Sequence, residues 1–66
     1  MAFTNEHKKA ILEQRIQQME SELYQHELNK STAELFNAPV NEVEVLIEQT
    51  QKIIDMHKEL ISSLSE

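Results

Sequence analysis

The stretch VEVLIEQTQKIIDMHKELISSL, residues 43–64, decides the fold. Read in sevens, it places Val43, Thr50, His57 and Leu64 in one column and Leu46, Ile53 and Leu60 in a second, three residues on. Ile47, Ile54 and Ile61 form a third column beside the second. Three columns per heptad make a stripe wider than the two-column seam of a simple zipper, and this is the pattern of a helix packed against more than one neighbour. The stripe assigns Val43, Leu46, Ile53, Leu60 and Leu64 to the core of a helical hairpin. Ile47, Ile54 and Ile61 are left on the outside, for contact with another subunit.

Upstream, Thr4 and Asn5 are suited to cap a first helix, and Glu6 puts a carboxylate where the helix dipole favours it. Leu12, Ile16, Met19 and Leu23 follow at intervals of four, three and four, one helical face that completes the expected core. The same face continues into His26, Lys30 and Ala33 and so loses apolar strength. A second line, Phe3, Ala10, Tyr24, Leu28 and Leu35, runs along another face at 100° per residue, with Tyr24 between the two. Helix 1 therefore reads as a helix with two faces to cover, over about residues 5–36. Ser31 with Glu34 fits a capping box, so a break at 29–31 is the alternative to a continuous helix. Continuity is the expectation, because neither glycine nor proline interrupts the segment.

The break between helices falls at residues 37–41, Asn-Ala-Pro-Val-Asn. Pro39 disfavours helical geometry at Ala38, and Asn41 with Glu44 is suited to cap helix 2, expected over about 42–63 with residues 62–66 frayed. The fold class is all-α: one antiparallel hairpin domain over residues 1–66.

Composition narrows the function. The 66 residues contain no cysteine, no glycine and one proline. A chain of this length buries only about 60% of its unfolded surface and ordinarily needs disulfides, a metal or a partner chain. Disulfides are excluded, and pairing with a second copy into a four-helix bundle is the expectation. Its interface would use Phe3, Tyr24, Leu28 and Leu35 together with Ile47, Ile54 and Ile61. Twelve acidic against six basic residues, net charge −6, oppose direct binding to a phosphate backbone. No basic segment followed by an apolar run opens the chain, and no apolar stretch approaches the roughly 20 residues of a membrane span. The expected location is the cytoplasm.

Candidate chemistry is sparse. His57, set among Ile53, Ile54, Leu60 and Ile61, is the candidate pH-sensitive group, since histidine alone titrates near neutrality unperturbed. Glu22 with His26 and Asp55 with His57 are fragments of a metal site at most; a carboxylate-bridged metal bundle needs Glu-x-x-His pairs on facing helices. No metal, cofactor or catalytic residue is expected. Intertwined chorismate mutases resemble the chain in helicity and size, but they hold a dianion with several basic groups, and Arg15 is the sole arginine here. The two-helix phosphatases of sporulation response regulators carry Ser-Gln-x-Leu-Asp in their second helix. The segment Thr50, Gln51, Lys52, Ile53, Ile54, Asp55 resembles that signature but is one residue longer. Glycine-free hairpins of this kind are also common among small bacterial and phage accessory proteins.

The sequence therefore reads as a non-enzymatic protein–protein interaction module, an adaptor, regulator or assembly factor whose acidic surface meets another protein. Two alternatives stand beside it. One is a small enzyme or response-regulator-type phosphatase using His57 or Asp55, and the other is an acidic mimic that blocks a nucleic-acid-binding protein.

Overall fold

The computed structural model describes residues 3–65; Met1, Ala2 and Glu66 lie outside the described residues. Two helices, α1 (Asn5–Leu35) and α2 (Asn41–Ser65), fold back on one another as an antiparallel hairpin 51 Å long. No strand occurs among the described residues. The expected all-α hairpin is the observed one.

Each boundary has a local cause. Thr4 takes extended geometry and its Oγ1 accepts the His7 amide at 3.1 Å, satisfying a donor that the first turn would otherwise leave free. The Phe3 ring stacks on His7 at 4.6 Å over this cap. At the other end Asn37 adopts φ 55°, the left-handed conformation. There the Ala38 amide reaches back to the Ala33 carbonyl at 2.8 Å and the Asn37 amide to Glu34 at 3.2 Å, the paired bonds of a Schellman cap. Asparagine is the residue after glycine best suited to that backbone, which is how a glycine-free chain turns this sharply. Asn37→Gly should therefore hold or raise stability, while Asn37→Val should lower it by about 1 to 2 kcal/mol in urea denaturation.

α1 runs unbroken through residues 29–31, as favoured, and Thr32 sits inside it with its hydroxyl donating to the Leu28 carbonyl at 2.9 Å. α2 departs from expectation at both ends. Asn41 is its first residue rather than its cap, with the Glu44 amide bonded to the Val40 carbonyl at 2.9 Å, and the helix continues to Ser65. Helical backbone thus extends across residues 62–65 of the segment expected to fray; Glu66 is outside the described residues. At 1.5 Å per residue α1 is about 46 Å long and α2 about 37 Å, so the first turns of α1 project beyond α2.

The seam between the helices follows a strict three–four alternation on both. On α1 the covered positions are Lys9, Leu12, Ile16, Met19, Leu23, His26, Lys30 and Ala33; across the seam they are Val40, just before α2, and Val43, Ile47, Thr50, Ile54, His57, Ile61 and Leu64 on it. This is the spacing of a two-stranded antiparallel coiled coil. Its register is marked near the turn by the Lys30–Glu44 ion pair at 3.5 Å, and near the open end by a groove that brings Ile11 and Leu12 beside Leu60 and Leu64. Interpolating between the two sets Met19 opposite Ile54 and Ile16 opposite His57.

The core assignment of α2 is thereby corrected. Ile54, expected outside, is the most covered side chain at 1% exposure, and Ile47 and Ile61 share its seam. Leu46, Ile53 and Leu60, expected inside, are 44%, 45% and 45% exposed. Val43 and Leu64 lie in the seam as expected, and so do Leu12, Ile16, Met19 and Leu23 of α1. The physical reason is the partner helix: the α1 face continues through His26, Lys30 and Ala33, and the column of α2 that tracks it is the one interrupted by Thr50 and His57. The uninterrupted apolar column is turned aside.

Candidate functional site

A two-helix layer has two broad faces, and in this hairpin they differ in chemistry. The open-end groove, about 340 Å³, is lined by Lys8, Ile11 and Leu12 of α1 and by Leu60, Ser63 and Leu64 of α2. It therefore shows which flank of each helix shares a face. Steps of seven residues stay on a flank, so Leu60 leads to Ile53 and Leu46, with Met56 filling the interval, and Lys8 leads to Arg15, Glu22 and Asn29. The result is an exposed apolar row along α2 beside a mixed-charge row along α1.

The opposite face is acidic. Glu20 follows Met19 in the seam where Glu22 precedes Leu23, and at 100° per residue the two point to opposite sides of α1. Glu6, Glu13, Glu20, Glu27 and Glu34 recur every seven residues along the flank of Glu20, all exposed. Glu44, paired with Lys30, and Asp55, whose Oδ1 accepts from Gln51 Nε2 at 3.0 Å, lie on the matching flank of α2. Farther round, Glu48 meets Lys52 at 3.2 Å. This segregation was legible in the sequence as the seven-residue spacing of glutamates, a signal that net charge alone conceals.

His57 is buried, with 5% exposure, at the centre of the seam. Its Nδ1 lies 2.8 Å from the Ile53 carbonyl, and because a carbonyl only accepts, Nδ1 carries the proton. A histidine bonded to its own helix one turn back is held as a packing element. Asp55 is exposed on the acidic flank, so the structure does not bring His57 and Asp55 together. Thr50 lies in the seam while Gln51 and Asp55 point away from it, which separates the residues of the phosphatase-like segment. Glu22, in the mixed-charge row, and His26, at the edge of the seam, remain neighbours one helical turn apart on α1, with no third ligand beside them among the described residues. Among the described residues no group of three histidine or acidic side chains is placed to hold a metal ion, and no helix is long and apolar enough to cross a membrane.

The interface expected from sequence is not one surface. Tyr24, Leu28 and Leu35 are exposed, but they lie on the side of α1 turned away from α2, with Phe3 at its projecting end. Ile47, Ile54 and Ile61 are already covered by α1. No single contact reaches both sets. The chain matches no family model, and neither the curated proteins nor the solved structures compared with it give a match.

Proposed function

We propose that the chain is a protein–protein interaction module that works as a homo-oligomeric helical bundle, closing on its apolar face and presenting its acidic face to a protein partner as an adaptor, regulator or assembly factor. The observation that carries this reading is the row Leu46, Ile53, Met56 and Leu60, exposed on one flank of a helix whose seam it does not share. A contiguous apolar row beside charged groups is the signature of a contact surface. Area supports the same reading. The chain exposes 5378 Å², whereas a compact monomer of 7.7 kDa would expose roughly 4,300 Å². The difference, about 1,100 Å², is more than the roughly 800 Å² that each partner contributes to a standard interface. Among the described residues only Ile16, Ile54 and His57 are buried in the hairpin itself, a core too small to hold this many ordered residues alone. The acidic face keeps its charges in water and is repelled by its own kind, so a second copy has the apolar face to cover. The test is the thermal midpoint as a function of concentration: a folding-linked dimer becomes more stable as protein is added. A midpoint that stays constant over a hundredfold range would contradict the reading.

A further inference from the structure

Resting on that reading, we infer that the second copy packs antiparallel, α2 against α2, about a two-fold axis that crosses α2 between Ile53 and Met56, with Arg15 of each copy paired to Glu22 of the other. Two columns on the same face point to the same axis. On α2 the exposed row Leu46, Ile53, Met56, Leu60 has its two middle members at Ile53 and Met56, so an antiparallel copy about an axis between them lays Ile53 against Met56 and brings Leu46 within about one helical turn of Leu60. On α1 the row Lys8, Arg15, Glu22, Asn29 is centred between Arg15 and Glu22. The hairpin register, fixed by Lys30–Glu44 and by the groove at Ile11 and Leu60, sets that midpoint beside residues 54–55 of α2. An axis chosen for the apolar row alone therefore brings Arg15 within about one helical turn of Glu22 in the other copy, twice by symmetry.

The alternative two-fold, parallel to the helices, fails on charge. It lays the apolar row of one copy over Arg15 and Glu22 of the other, removing both from water with no opposite charge to meet. Between the two arrangements only the antiparallel one covers leucine and isoleucine with their like and arginine with glutamate. It also leaves Glu6, Glu13, Glu20, Glu27 and Glu34 on the outside of both layers.

Charge reversal and distance test this together. Arg15→Glu alone and Glu22→Arg alone each replace two attractions with two repulsions and should weaken association about tenfold, while the double reversal restores it to near the parental value. Since the chain has no cysteine, a single Glu6→Cys spin label reports geometry directly. Antiparallel packing offsets the two labels by about 35 to 40 Å along the helix axis, against no axial offset in the parallel arrangement, where they lie closer together. A dimer with close labels, or a double reversal no better than the single ones, overturns the antiparallel pairing and leaves self-association standing. A wild-type chain that stays monomeric removes self-association itself.

Discussion

Ile54→Ala is expected to lower stability by about 3 kcal/mol and the thermal midpoint by at least about 12 °C, the largest loss from any single truncation in the chain. Ile54 has 1% of its surface exposed, at the middle of the seam opposite Met19, and alanine would leave a void that two straight helices close only in part. The neighbouring columns provide the contrast. Val45, on the outer side of α2 and half exposed, should cost no more than about 0.5 kcal/mol as alanine. Urea denaturation of both variants separates the seam seen here from the one expected from apolar strength. An Ile54→Ala loss within 1 kcal/mol of Val45→Ala would show that α1 does not cover this column.

Ile53→Glu, one residue away, acts on a different contact and should weaken self-association at least a hundredfold, about 2.7 kcal/mol. The substitution sets a carboxylate in the middle of the exposed apolar row, between Leu46 and Leu60, where the second copy would strip its water and offer no cation. Symmetry doubles the penalty. Leu28→Glu is the matched control, since Leu28 lies on the side of α1 away from α2 and its charge would remain in solvent. It should change association less than about twofold. Gel filtration at several concentrations reads both variants. Loss of self-association in Leu28→Glu and its retention in Ile53→Glu would move the interface to the outer side of α1.

What the sequence revealed and what it concealed have separate causes. The hairpin, the turn at 37–41 and the α1 seam of Leu12, Ile16, Met19 and Leu23 were legible, because periodicity and a lone proline speak to local structure. The α2 seam was not, because its true columns hold Thr50 and His57 while the strongest apolar column, Leu46, Ile53 and Leu60, faces outward. Apolar strength marks what must be covered, not which neighbour covers it. The signal that discriminates is the unbroken three–four spacing running the whole length of both helices, polar members included. Similarly, the dual-faced chemistry is written in the seven-residue spacing of the glutamates, which becomes a face only once the register of the two helices is known.

The most direct measurement is sedimentation equilibrium of the unmodified chain from micromolar to millimolar concentration. Self-association through the apolar row of α2 predicts a mass of about twice 7.7 kDa that falls reversibly on dilution, with helical content falling alongside it. A chain that remains fully helical and sediments at 7.7 kDa across the whole range would contradict it.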